Sequence, residues 1–346
     1  MRLANRRYTG AKTRLLKQID VVIRESFDYS KAHNLSFFDV FAGTGVVSEY
    51  FMEKPQFGRF VMNDFLDSNF AIYQAFFAQD CFNIDKLKEI QAYFQHLDSK
   101  TLEQNYYSEH FGGKFFSHND ALIIGEIREQ LDKLLQSRQI SQKEFYVLLA
   151  SLLYSSDRIA NTVGHYDAYR KNISLQDRFI YELIEPIKSN AKIEIYKEDS
   201  NALAKEFVGQ KEHIDIAFID PPYNSRQYSR FYHLLETLAT NTKPKLYGVA
   251  LKPQPQNISR YCKVEAKEAF KDLIENLAKV SKVLVVTYNN TCNANVRSNV
   301  RLKDKEIKDI LEPVGKISLY EFDYKAFSSG KSSFKNHKER VFLCQI

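Results

Sequence analysis

Short runs rich in β-branched and aromatic residues, each followed by a stretch of helical periodicity, set the first limit on how this chain folds. Leu35-Ser-Phe-Phe-Asp-Val-Phe41 reads as a strand, and Ala42-Gly-Thr-Gly45 turns it into a helix from Val46 to Met52. Phe57 to Met62 gives a second strand, ending at Asn63-Asp64. Further strands are predicted at Lys192–Tyr196, His213–Ile219, Val283–Thr287, Lys316–Phe322 and Arg340–Leu343. Helical spacing appears at residues 13–26, where Leu15, Leu16, Ile19, Val22 and Ile23 share a face, and again at Glu265–Val280 and Lys303–Leu311. Parallel strands need a long crossover between them, so this alternation predicts an α/β fold with a doubly wound, mostly parallel sheet. The last two strands, separated by a Gly/Ser-rich turn, predict an antiparallel hairpin at its edge.

Strand signals stop between about residues 76 and 190, where helices are predicted at Ile84–His96, Leu122–Arg138, Gln142–Ser155 and Asp177–Ile187. The chain therefore divides into a sheet domain formed by 1–75 and 191–346 and an inserted, mostly helical region at 76–190. With 346 residues, 44% apolar and 27% charged, it has the balance of a globular protein able to bury its own core. No apolar run reaches membrane-spanning length and none follows Met1–Arg7, so a cytoplasmic protein is expected. Cys81, Cys262, Cys292 and Cys344 lie far apart without a C-x-x-C pair, which suggests reduced thiols, no disulfide framework and no metal site. The net charge of +6 is mild for a nucleic-acid-binding protein, and the abundance of Tyr and Phe decides nothing alone.

Ligands of open α/β sheets bind beyond the carboxyl ends of the strands, and three strand ends here carry suitable residues. Gly43 and Gly45 let the backbone after Phe41 turn sharply and approach a ligand, although such a turn also occurs as plain structure. Asp64 falls just past the second strand, about 20 residues after the glycine turn, where an acid accepts both hydroxyls of a ribose or else caps a helix. The full G-x-G-x-x-G spacing is missing, so a nucleoside lacking a pyrophosphate fits better than a dinucleotide. Asp220-Pro-Pro-Tyr223 then ends the strand His213–Ile219. Its prolines hold the backbone extended, leaving an acid and a carbonyl to accept two hydrogens from an amino group, while Tyr223 offers a face for a planar base.

In this order the motifs resemble those of Dam-like, α-group DNA adenine methyltransferases. Arg7-Tyr-Thr-Gly-Ala-Lys12 resembles their amino-terminal K-W-x-G-G-K element, followed by Phe41-Ala-Gly-Thr-Gly45, Asp64 and Asp220-Pro-Pro-Tyr223. Tyr8 replaces the usual Trp and Ala11 the usual second Gly, changes that keep a ring and a small residue. Arg158 to Tyr169 and Asn224 to Thr237 look similar to modification enzymes of type II and IIS restriction systems.

The resemblance implies a class I, Rossmann-like fold and S-adenosyl-L-methionine as methyl donor. It would place Tyr8, Gly10, Lys12, Asp39, Phe41, Ala42, Gly43, Thr44, Gly45, Asp64, Asp199 and Asp220 around the donor, with Asp199 on its adenine. Asp220, Pro221, Pro222 and Tyr223 would act on the 6-amino group of an adenine flipped out of double-stranded DNA. A separately encoded restriction endonuclease is the implied partner. DNA contacts are expected from 76–190 and from 240–263, where Lys243, Lys245, Lys252, Arg260 and Lys263 interleave with Tyr247 and Tyr261, although charge runs are commonly solvated faces. His165 is expected to be packed or locally bonded. The alternatives are the 4-amino group of cytosine, for which Ser in place of Asp220 is the family habit, an RNA base, or a non-catalytic recognition subunit.

Overall fold

The computed structural model describes residues 1–8, 10–223, 225–289, 301–323 and 338–346, in two compact units. One, formed by Gly10–Phe65, Asn190–Tyr228 and Asn257–Ile346, contains the sheet. Its strands are β1 (Leu35–Asp39), β2 (Phe57–Asn63), β3 (Lys192–Tyr196), β4 (Ile214–Ile219), β5 (Ser281–Asn289), β6 (Lys316–Asp323) and β7 (Lys338–Gln345). They lie in the order β3-β2-β1-β4-β5-β7-β6. The first five in that row are parallel, while β7 runs antiparallel to both β5 and β6.

Every residue of β1 and β4 is buried, as expected of central parallel strands covered on both faces. Alternation along β1 sends neighbouring rings to opposite faces. Phe37 stacks on Phe51 of helix α2 (Val46–Met52), with ring centroids 4.7 Å apart, whereas Phe38 meets Phe207 of α8 (Ser200–Gln210) at 5.2 Å. Phe38 shares its core with Phe270, Leu273 and Leu277 of α11 (Ala266–Leu277) and with Ile307 and Leu311 of α12 (Asp304–Leu311). Helix α1 (Leu16–Ser26) packs on β7. The sheet is thus covered by helices on both faces, the α/β class read from the sequence. The antiparallel pair is also present, but β7 lies inside the sheet and β6 is its edge; the turn between them lies outside the described residues.

The other unit, Met1–Thr9, Leu66–Ser189 and Ser229–Gln256, is helical. It contains α3 (Asp67–Phe76), α4 (Ile84–Gln95), α5 (Tyr106–Phe111), α6 (His118–Gln136), α7 (Gln142–Ile159) and α10 (His233–Thr240), with the single turn α9 at Tyr228–Phe231. Side-chain caps start most of them: Asn83, Asn105, Ser117 and Ser141 each accept from first-turn N–H groups. Helix α7, apolar on nearly all sides, is the hub on which α3, α6 and α10 pack.

The helix predicted at Asp177–Ile187 does not form. Its N–H groups find side-chain acceptors instead: Arg178 and Phe179 donate to Asp120, Glu182 to Ser155 Oγ and Ile184 to Ser151 Oγ. Buried Tyr181 and Ile184 anchor this extended ribbon, and Pro186 removes a donor that a helix would need.

Candidate active site

The strand order reverses direction between β1 and β4, which leaves a crevice at their carboxyl ends, the place where such sheets bind ligands. Beyond β1 the chain turns through Gly43 (φ 53°) and Gly45 (φ 80°), conformations that suit glycine. Ala42 N–H donates to the Asn63 carbonyl, tying the turn to β2. Asp64 is not a helix cap: its Oδ2 accepts the Gly43 N–H at 2.9 Å. Thr44 is buried inside the turn, and Phe41 packs edge-on against Tyr261.

Asp39, the last residue of β1, is 1% exposed. Its Oδ2 accepts from Ser48 at 2.8 Å, while Oδ1 has no hydrogen-bond donor among the described residues. Burial pushes this carboxyl up to about 7; the Ser48 bond opposes the rise, and the charges of Asp220 and Asp64 add to it.

At the end of β4, Asp220 is held from two sides. Thr287 of β5 donates to Oδ1 at 2.7 Å, and Lys12 Nζ pairs with Oδ2 at 2.7 Å. The register explains the first contact, since Ile219 pairs with Val286 and puts Thr287 level with Asp220. Lys12 is only 3% exposed; it also donates to the Gly10 carbonyl at 3.0 Å and lies 3.2 Å from Glu339 Oε1. Burial alone would lower the pKa of this ammonium, but the charges of Asp220 and Glu339 outweigh it and hold it above its ordinary value. Tyr223 lies edge-on to Tyr288, with the Lys12 ammonium 5.9 Å from its ring centre. A Cβ on Gly10 would stand 3.1 Å from the Tyr223 hydroxyl, which gives a packing reason for glycine there. Asn224 lies outside the described residues.

These contacts bring Gly10, Lys12, Asp39, Ala42, Gly43, Asp64 and Asp220 into one linked edge of the sheet unit. Asp199 stands apart from that network as the N-cap of α8, accepting from Asn201 and Ala202, with Arg260 at 3.8 Å. Tyr8 belongs to the helical unit, where it stacks on Tyr232 at 4.8 Å under the Arg6 guanidinium. Sequence reasoning missed Thr287 and Glu339. Both sit where strands end at the same sheet edge, Glu339 because an antiparallel strand begins where its parallel neighbours finish.

Residues 8–292 match the sequence profile of the D12 class N6 adenine-specific DNA methyltransferases. The chain belongs to this family. Among curated methyltransferases it is 31% identical to type II methyltransferase M.FokI of Planomicrobium okeanokoites, over 98% of this chain and 52% of that protein. It is 28% identical to M.NlaIII of Neisseria lactamica, over 96% and 95% of the two chains, and 32% identical to modification methylase StsI of Streptococcus sanguinis, over 82% and 44%. The chain thus spans about half the length of two of these relatives and nearly all of the third. A solved rRNA methyltransferase, AviRa from Streptomyces viridochromogenes, aligns over 98% of this chain and 86% of its own, at 9% identity and a TM-score of 0.35.

The helical unit of this D12 family member carries a cavity of about 330 Å³ rimmed by Arg7, Arg158, Arg170 and Arg178, with Asn161, Thr162 and Gln176 between them. Arg7 and Arg178 donate to carbonyls at the end of α7, which pins both guanidinium groups, and Arg158 pairs with Glu182. In the segment 240–263 Lys243 and Lys252 are ion-paired with Glu129 and Asp167, and Tyr261 is buried. His165 stacks on Phe231 at 4.8 Å, the packed role expected for it. No helix among the described residues is long and apolar enough to cross a membrane.

Proposed function

We propose that this chain methylates the 6-amino group of adenine at specific sites in duplex DNA, using S-adenosyl-L-methionine, as the modification component of a restriction-modification system. The observation that carries this reading is Asp220-Pro-Pro-Tyr223 at the end of β4, across the strand-order reversal from the Gly43 turn and Asp64. A separately encoded endonuclease and a cytoplasmic location accompany the reading.

The residues present suit the methyl donor. Asp39 Oδ1 is a buried acceptor with no donor among the described residues, and Asp64, just past the end of β2, would accept the ribose hydroxyls. Gly43 and Gly45 allow close backbone approach, and Asp199 is the acid assigned to the donor's adenine. When bound, S-adenosylmethionine supplies a methyl group already made electrophilic by its sulfonium sulfur.

The protein's task is to aim and prepare the nitrogen. Asp220 and the Pro221 carbonyl accept the two amino hydrogens of adenine, which favours a tetrahedral nitrogen with a localised lone pair. As that nitrogen gains carbon it becomes positive, and the Asp220 carboxylate stabilises the charge until one N–H proton leaves to water. Tyr223 presents a face to the flipped base. The arginine-rimmed cavity and the segment 240–263 are the proposed DNA-contacting parts, the guanidinium groups neutralising phosphates.

The test is to express the chain in a host free of its own adenine methylation and digest the genomic DNA to nucleosides. N6-methyldeoxyadenosine supports the reading, and its absence from cells that contain folded protein contradicts it.

A further inference from the structure

We infer that Glu339, at the amino end of β7, gives the Asp220 centre its net negative charge, and that this charge discriminates the cationic methyl donor from its neutral product; the inference rests on the reading above. Lys12 and Asp220 by themselves form a neutral pair. Glu339 brings a second carboxylate to the same ammonium, 3.2 Å from Nζ and 3% exposed. One cation against two anions leaves a buried surplus of one negative charge.

Several observations support a role for that charge. Burying a carboxylate is costly, and the Lys12 ammonium beside Glu339 opposes the rise in its pKa that burial and the charge of Asp220 cause. Among the described residues its Oε1 has Lys12 as cationic neighbour but no hydrogen-bond donor of good geometry. Lys12 does not need Glu339 to be satisfied, because Asp220 and the Gly10 carbonyl already accept from it. The register also places Glu339 opposite Asn289, at the sheet edge where β4 and β5 end, while the next residue, Arg340, pairs with Glu321 and Asp304. Asp39 feels the charges of Asp220 and Asp64, and Glu339 feels that of Asp220, so Asp220 is the acid common to both.

The proposed reaction turns a sulfonium into a thioether and places positive charge on the amino nitrogen. A fixed negative charge holds the sulfonium form more tightly than the thioether, in a low-dielectric site where one charge acts over several ångströms. Glu339 is thus a positioning residue of electrostatic kind, acting through Lys12 and Asp220.

Glu339→Gln keeps shape and acceptor while removing charge, and Glu339→Asp keeps charge on a shorter stem. Calorimetric titration of each with S-adenosylmethionine and S-adenosylhomocysteine gives the ratio of their dissociation constants. We expect Glu339→Gln to weaken the sulfonium about 10-fold and the thioether less than about 2-fold, with a single-turnover transfer rate lower by at least the same factor. Glu339→Asp should keep the wild-type ratio. An unchanged ratio in Glu339→Gln, or equal loss of both ligands, overturns the inference while wild-type activity stands. A wild-type protein that binds neither ligand removes the underlying reading, and the inference with it.

Discussion

Thr287 Oγ1 donates a 2.7 Å hydrogen bond to Asp220 Oδ1, fixing from β5 the carboxylate that ends β4. A hydrogen bond to a charged group is worth about 1.5–3 kcal/mol. Because this one aims the acceptor of the adenine amine, Thr287→Val should slow methyl transfer by about 10- to 100-fold. Donor binding should change little, because the Asp220 carboxylate and its Lys12 partner both remain. Single-turnover rates and calorimetry on the same variant separate the two effects; a rate within twofold of wild type would reject the aiming role.

The buried acid Asp39 links pH to stability. Its carboxyl has a value near 7 in the fold against 3.8 as the ordinary one, so between these limits the folded chain binds more protons than the unfolded chain. Stability from this group therefore falls as pH rises from about 4 to about 7, then levels, by an amount on the order of 4 kcal/mol. Asp39→Asn keeps an acceptor for Ser48 and removes the cost. Its melting temperature relative to wild type should rise with pH across that window, while donor affinity drops because the acceptor Oδ1, which has no donor among the described residues, is changed. Parallel melting curves at pH 5 and pH 8 decide this, and an offset independent of pH would contradict the assignment.

Gly43 sits at φ 53°, and its N–H is spent on Asp64. Alanine there should cost about 1–2 kcal/mol of stability by denaturant titration. Donor affinity should fall more steeply than stability, because a methyl group would stand where the backbone is meant to approach the ligand. Equal donor affinity in wild type and Gly43→Ala would place the ligand elsewhere.

The arginine-rimmed cavity makes a prediction about salt. Each phosphate contact contributes about 0.9 to the slope of log affinity against log salt concentration. Arg170→Gln combined with Arg178→Gln should therefore lower the slope for duplex DNA by about 1–2 and weaken binding at all sequences alike. Fluorescence anisotropy over a salt series measures it. An unchanged slope, with DNA still methylated, would move the phosphate contacts elsewhere.

Much of the fold was legible because apolar strands and helical faces carry their own periodicity. All seven strands lie within a few residues of their expected places, from Leu35–Asp39 to Lys338–Gln345. The failure at 177–187 has a physical cause: Ser151, Ser155 and Asp120, far away in sequence, supply the acceptors that an isolated helix would take from its own backbone. In the candidate site, Gly43, Asp64 and Asp220 announce themselves because turns and strand ends are local features. Thr287 and Glu339 do not. A Thr late in a β-branched strand and a Glu in a charged run look ordinary until strand order and the antiparallel direction of β7 bring them to Asp220 and Lys12. Asp199 reads locally as a cap because it is one, whatever it does for a ligand.

The most direct test of the account is transfer of labelled methyl from S-adenosylmethionine to mixed-sequence duplex DNA by the purified chain, run beside Asp220→Ala. Label should appear in N6-methyldeoxyadenosine with wild type and not with the variant, which still binds the donor, though more weakly because the centre has lost a negative charge. Label in cytosine, no label in DNA at all, or undiminished transfer by Asp220→Ala would contradict it.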